Sequence, residues 1–343
     1  MSPPPVMPGD RVAVVSPSWA GPGVFPDVHE RSLRVLREQL GLEVVEYPTT
    51  REVGASPQDR ARDLMAAFAE PSVSAVMASI GGSDQLTVLP FLEPDVFVAN
   101  PKRFFGYSDN TNFLNYLWNL GIVSYHGGST MVHLARPGGP HQVSLESLRR
   151  ALFTHETVEV LPVDRFGDLH ADWNDVATLD HELATTAEPG WHWHNSERIV
   201  SGHTWGGNLE VLHWNLAANR WIRPVGDYVG CVLILETSGE MPSASDVYFM
   251  LRDFGERGLL EQFPAVVVAK PKAWNEQNRF EEPARERFRE EQRAAVLRAL
   301  DEYNPRALAV FGPDFGHTDP QWILPYGGLM LVDGSSERLV VTY

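Results

Sequence analysis

The chain has 343 residues and a mass of 38.3 kDa, more than a single hydrophobic core usually supports, so two domains are expected. Hydrophobic residues make up 43% and charged residues 21%, which excludes a disordered or low-complexity chain. With 28 Lys+Arg against 45 Asp+Glu the net charge is −17, and no basic cluster follows a phosphate backbone, so nucleic acid is excluded as a partner. The single cysteine, Cys231, sits in the apolar run 231–235 and reads as a small buried hydrophobe in a reducing compartment. No export signal and no stretch of about 18 apolar residues is present, so a cytoplasmic protein without a membrane span is expected.

Up to about residue 160, short β-branched runs alternate with amphipathic stretches, the pattern of a doubly wound parallel sheet with helices on both faces. Strands are predicted at 11–16, 43–47, 73–80, 103–107 and 122–125, and helices at 27–40, 57–68, 110–120 and 144–153. The second helix has the clearest start, Ser56 as N-cap and Pro57 at the first helical position. Residues 161–196 show no sustained period and read as an inter-domain connection. Beyond it, strands at 198–202, 231–235, 265–269, 307–311 and 329–332 are mixed with helices at 209–217, 244–254 and 281–300. These form a C-terminal domain over 197–343. The Glu/Arg alternation of the last helix reads as a solvated face with i,i+4 pairs.

Four places carry chemistry. In Gly106-Tyr107-Ser108-Asp109 a strand stops at a serine and a helix starts at once, as in a nucleophile elbow, although G-x-S-x-N replaces G-x-S-x-G; the alternative is that Ser108 or Asp109 only caps the helix. Gly81-Gly82 follows a buried strand and permits close backbone approach; its N–H groups suit an oxyanion or a phosphate, but the lysine of a P-loop is missing. Glu236 ends a buried strand and needs a cation or donor, and His317 in a Gly/Pro-rich loop is a candidate imidazole for it. Lys270 and Lys272 lie in Ala269-Lys-Pro-Lys-Ala273, either to hold a substrate carboxylate or phosphate or to solubilise a strand end. His192-x-His194 and His203 lack cysteine or carboxylate companions, so neither a metal nor another cofactor is expected.

Taken together, Gly106-Tyr-Ser-Asp109, Gly81-Gly82 before Leu89-Pro-Phe-Leu92, Gly206-Gly-Asn-Leu209, Leu235-Glu236 with Glu240, and Gly316-His317-Thr318 ending in Leu324-Pro325-Tyr-Gly327 resemble the ordered motifs of the LD-carboxypeptidase family of serine peptidases. The run from Glu236 to Ser245 is more similar to that family's microcin C immunity branch than to its murein branch. The resemblance implies a C-terminal domain built around a small β-barrel, a site between the domains and a homodimer. It makes Ser108 the nucleophile, His317 the base and Glu236 the residue that orients the imidazole. The N–H groups of Asp109 and Gly82, with Gly81 as a further candidate, would form the oxyanion hole. The substrate implied is small, an aminoacyl-nucleotide or, alternatively, a murein tetrapeptide. Trp191 or Trp193 would stack on an adenine or else cover the domain junction, and Glu240 and Lys272 are further candidate substrate contacts. A non-catalytic small-molecule trap and a nucleotide-dependent transferase are the rival readings from other classes.

Overall fold

The computed structural model describes residues 1–343. Its first half alternates β1 (Arg11–Val15), α1 (Gly21–Val24), α2 (Pro26–Glu38), β2 (Glu43–Glu46), α3 (Pro57–Ala69), β3 (Val73–Ala78), α4 (Pro94–Ala99), β4 (Arg103–Gly106), α5 (Thr111–Asn119), β5 (Ser124–His126) and α6 (Gln142–Phe153). α3 begins as predicted, with the Ser56 hydroxyl accepting from the Asp59 N–H at 3.1 Å and Pro57 leading the helix. The five strands are parallel in the order β2-β1-β3-β4-β5. β3 is buried almost throughout, as a strand covered on both faces must be. The strand order reverses between β1 and β3, where the loops at the carboxyl ends of an open α/β sheet diverge and leave a crevice. Gly81-Gly82 and Ser108 both leave the sheet at that edge.

The second half contributes β6 (Thr157–Val160), β7 (Arg165–Phe166), β8 (Thr186–Ala187), β9 (His192–His194), β10 (Ile199–Asn208), α7 (Leu209–Ala217), β11 (Val232–Glu236), α8 (Ala244–Glu256), β12 (Ala265–Val268), α9 (Glu282–Tyr303), β13 (Leu308–Phe311), β14 (Leu324–Tyr326), β15 (Leu329–Asp333) and β16 (Arg338–Thr342). Eight strands form a second sheet in the order β6-β16-β15-β10-β11-β12-β13-β9, parallel from β10 to β13 and antiparallel elsewhere. With β6 and β9 as its two edges, this is an open mixed sheet where a small barrel is expected. Glu236 ends β11 and the His317 loop follows β13, so the second sheet also presents carboxyl-terminal strand ends to the site.

Two strands leave the domain that the sequence assigns them, 1–160 for β6 and 197–343 for β14. β14 returns to the first sheet and pairs antiparallel with β5, and β6, which follows the first half directly, joins the second sheet through β16. Within 161–196, read from sequence as irregular, β9 pairs antiparallel with β13, Trp193 opposite Val310. One cluster of 80 buried residues draws on both halves. β6, β9 and β14, with three or four residues each, show no period of their own.

β10 runs ten residues where five were predicted, because Gly202 and Gly206-Gly207 read as breaks. Its first half pairs with β15 and its second with β11. Gly206 has φ +140°, and a Cβ there would lie 1.9 Å from the Ile234 carbonyl oxygen. Gly206→Ala is therefore expected to destabilise the fold by about 3 kcal/mol or more, read as a lowered urea midpoint; an unchanged midpoint would contradict this packing. On α9, Arg298 and Glu302 form the expected i,i+4 pair at 3.1 Å, but Arg289 turns inward to Asp168 and lies over the Phe166 ring. Cys231 is buried, as expected. No helix is long and apolar enough to cross a membrane.

Candidate active site

Ser108 opens a short 3₁₀ turn between β4 and α5 with φ +60°, the left-handed region that a non-glycine residue enters only at a cost of about 1–3 kcal/mol. Neither Ser108 nor Asp109 caps α5 by a side-chain hydrogen bond. The strain is held by neighbours. The Asn110 amide donates to the Ile80 carbonyl at 3.1 Å and to that of Tyr107 at 3.2 Å, and it accepts from Gln85 Nε2 at 2.8 Å. This explains the asparagine where an elbow motif has glycine. The glycine needed for close approach is Gly106 instead, whose Cβ would sit 2.8 Å from that of Asn110.

His317 arrives from the loop after β13. Its Nε2 is 3.2 Å from the Ser108 Oγ and its Nδ1 is 2.6 Å from Glu236 Oε2, so groups 209 and 81 residues apart form one hydrogen-bonded chain. The loop is pinned by Gln321, whose Nε2 donates to the Gly316 carbonyl at 2.9 Å and whose Oε1 accepts from the Gly128 N–H at 3.0 Å. A Cβ on Gly316 would come within 3.2 Å of the Glu236 Cβ, so glycine lets the loop reach the carboxylate. The Glu236 side chain is fully buried. Burial pushes its pKa up, but the charge and hydrogen bond of His317 outweigh this and hold it below the usual carboxylate value. Around the pair, burial first of all holds His126 and His133 down at about 4, so they stay neutral and do not oppose positive charge on His317.

Asn208 lies within Gly206-Gly-Asn-Leu209 and has no chemical signature of its own in the sequence. It stands opposite Glu236 in the β10/β11 ladder and caps α7 by accepting from the Val211 N–H at 3.0 Å. Asn208→Ala should lower stability by about 1–2 kcal/mol through the lost cap, read as a reduced melting temperature; an unchanged melting temperature would show that the cap is dispensable.

The Gly81-Gly82 loop crosses above the serine. A Cβ on Gly81 would lie 3.1 Å from the Ser108 Cβ and 3.5 Å from the Asp109 nitrogen, so Gly81 is the glycine packed directly on the elbow. The Gly81 carbonyl accepts from the Trp19 N–H, which turns the Gly82 N–H of the same trans peptide away from Trp19. No acceptor in the chain takes that N–H. The buried Asp109 carboxylate points elsewhere, accepting from the Ser18 hydroxyl and from the Gln85 N–H at 2.9 Å; desolvation raises its pKa.

Two spaces border Gly82 and His317, and a third, of about 400 Å³, lies behind Glu236 between β8, β11 and α9. Beside Gly82 lies one of about 560 Å³ bordered by Trp19, Glu52, Asp84 and the exposed Glu240. Beside His317 lies one of about 60 Å³ bordered by His133, Arg136, His170, Trp173 and Lys272. The tryptophans that border them are therefore Trp19 and Trp173, linked edge-to-face through Phe25 at 6.1 and 5.4 Å. Trp191 and Trp193 border neither; both pack against the core, Trp193 on edge strand β9. Both lysines of the 269–273 segment are buried, which removes the solubilising alternative.

Comparison with known proteins agrees with this architecture. The LD-carboxypeptidase N-terminal domain matches residues 12–127 and the LD-carboxypeptidase C-terminal domain matches residues 201–332. Relatives include the microcin C7 self-immunity protein MccF of Escherichia coli, 22% identical over 83% of this chain and 78% of that protein. The murein tetrapeptide carboxypeptidase of Pseudomonas aeruginosa is 27% identical over 67% of each. Among solved structures, MccF in complex with glutamyl sulfamoyl guanosine superposes with a TM-score of 0.84 at 21% identity, covering 99% of this chain and 98% of that one. An MccF-like protein from Streptococcus pneumoniae in complex with AMP also gives 0.84, at 23% identity over 98% and 99%. Both halves of the chain, in order, place it in the LD-carboxypeptidase family of serine peptidases.

Proposed function

We propose that Ser108, His317 and Glu236 hydrolyse an amide bond through an acyl-enzyme, the substrate being an aminoacyl-nucleotide of the sulfamoyl or phosphoramidate adenylate class. The observation that carries this reading is the unbroken relay from a strained Ser108 through His317 to a buried carboxylate. Ser108 Oγ attacks the carbonyl carbon while His317 Nε2 takes its proton, and Glu236 remains ionised against Nδ1–H. The carbonyl oxygen becomes an oxyanion facing the N–H groups of Gly82 and Asp109, each worth roughly 3 kcal/mol. His317 then protonates the leaving nitrogen as the C–N bond breaks, and water, deprotonated by the same imidazole, releases the acyl group.

The aromatic edge of the cleft supports a purine-bearing substrate, with Trp173 beside His317 as the stacking face in place of Trp191 or Trp193. Solved neighbours of the same fold bind glutamyl sulfamoyl guanosine and AMP. The relative from Pseudomonas aeruginosa favours a second reading, release of the terminal residue of a murein tetrapeptide. Incubation with aminoacyl sulfamoyl adenosine and, separately, with an LD-tetrapeptide, followed by mass spectrometry of the products, tests the choice. Cleavage of the adenosine compound by the wild type is expected; cleavage of the tetrapeptide alone would replace the first reading with the second.

A further inference from the structure

Lys272 is 2% exposed and forms no ion pair with any carboxylate of the chain. Its ammonium instead donates to His170, an imidazole that burial, and then the lysine charge, hold down at about 3 and therefore neutral. The two carboxylates nearest in charge effect, Asp168 and Asp319, are already engaged: Asp168 by Arg289 and the Ala273 N–H, Asp319 by Arg136. Lys270, two residues earlier, is the contrast, since it is equally buried but neutralised by Glu188 and Asp314. A buried cation without a counter-ion is costly, and the cost is removed when an anion arrives beside it.

The position of this charge ties it to the reaction. A Cβ placed on Gly239 would lie 3.7 Å from the Lys272 Cδ and 3.9 Å from the His317 Cδ2, so the lysine stem and the imidazole edge share one wall. Both border the 60 Å³ space, which is large enough for a carboxylate or a sulfamate. In the reaction proposed above the oxyanion lies on the Gly82 and Asp109 side, whereas His317 must reach the leaving nitrogen. The space beside His317 is therefore on the leaving-group side.

We propose that Lys272, backed by His170, is the anchor for an anion that the substrate carries next to the scissile amide on its leaving side. The inference rests on the function proposed above and narrows it to one chemistry shared by both candidate substrates, the acyl sulfamate or phosphoramidate in one and the terminal carboxylate in the other. An amide lacking such an anion would be a poor substrate.

The test pairs each anionic substrate with a neutral counterpart: an LD-tetrapeptide with its C-terminal amide, and aminoacyl sulfamoyl adenosine with the aminoacyl amide of 5′-amino-5′-deoxyadenosine. The wild type should prefer the anionic member by roughly 10–100-fold in kcat/KM, mainly through KM, as expected for a charge-assisted contact. Whichever pair shows the preference identifies the source of the anion. Lys272→Met should level the two members, and Lys272→Arg should retain most of the preference. A second readout needs no turnover: adenosine 5′-monophosphate and free D-alanine are added separately, and at least one should raise the melting temperature of the wild type but not of Lys272→Met. Without ligand, Lys272→Met should melt no lower than the wild type. A wild-type preference that persists in Lys272→Met, or equal ligand-induced shifts in both proteins, would overturn the anchor. Failure of the wild type to hydrolyse any of the four would instead count against the proposed function, while the melting shifts would still report on Lys272.

Discussion

Ser108→Ala is expected to reduce kcat by roughly 10⁴-fold or more while leaving the circular dichroism spectrum and the folded state intact. The size follows from what the hydroxyl does: without it no ester can form, and only the oxyanion donors and substrate positioning remain. The fold should survive because Ser108 is a partly exposed residue whose one side-chain hydrogen bond is with His317. Stability is not expected to fall, although a short side chain in a left-handed conformation leaves the backbone strain in place. Turnover by Ser108→Ala at even a tenth of the wild-type rate would remove the serine from the chemistry.

Glu236→Gln should be nearly as damaging, about 10³–10⁴-fold in kcat, for a different reason. The fully buried carboxylate accepts from His317 Nδ1 at 2.6 Å, so it selects the tautomer that presents a lone pair to Ser108 and stabilises the imidazolium formed during attack. A glutamine has the same shape, but its carbonyl carries no charge and its amide can turn to offer a donor instead. The ionised form also bears on stability. Because the folded pKa of Glu236 lies below its ordinary value of 4.5, its contribution is fully present above that value and is lost as the pH falls through the lowered one. Acid unfolding of Glu236→Gln should accordingly be less steep below pH 4.5 than that of the wild type. Parallel acid-unfolding curves, or a variant retaining half of the wild-type kcat, would contradict the assigned role.

How much of this was legible in the sequence depends on the range of the interaction. The elbow could be read because a strand, a serine and a helix start are adjacent, and α3 because Ser56-Pro57 is a local capping signal. Glu236 and His317 were legible through motifs and through the cost of ending a buried strand on a carboxylate. The left-handed φ of Ser108 was not, since it is imposed by Asn110, Gln85 and Gly106 packing around the turn. Which tryptophans border the cleft is hidden in the sequence for a similar reason. Trp191 and Trp193 lie in a segment that looks irregular and becomes an edge strand, whereas Trp173 reaches the site through contacts with Phe25 that no spacing announces. Lys272 shows the same limit: a lysine just beyond a strand reads equally as a substrate contact or as a solubilising strand end, and only the packing of Asp168, His170 and Arg289 around it reveals a buried charge. The exchange of β6 and β14 between the sheets is likewise a tertiary choice, made by three- and four-residue strands with almost no periodic signal of their own.

The claim that joins these observations is that serine, imidazole and carboxylate act as one unit. Its most direct test is kcat for Ser108→Ala, His317→Ala and the double variant, measured on the substrate that the wild type cleaves. Groups acting as a unit should give two single variants and a double variant of nearly equal, very low rate, because losing either partner already removes the whole nucleophilic path. A single variant with turnover near that of the wild type, or losses that simply multiply in the double variant, would contradict it.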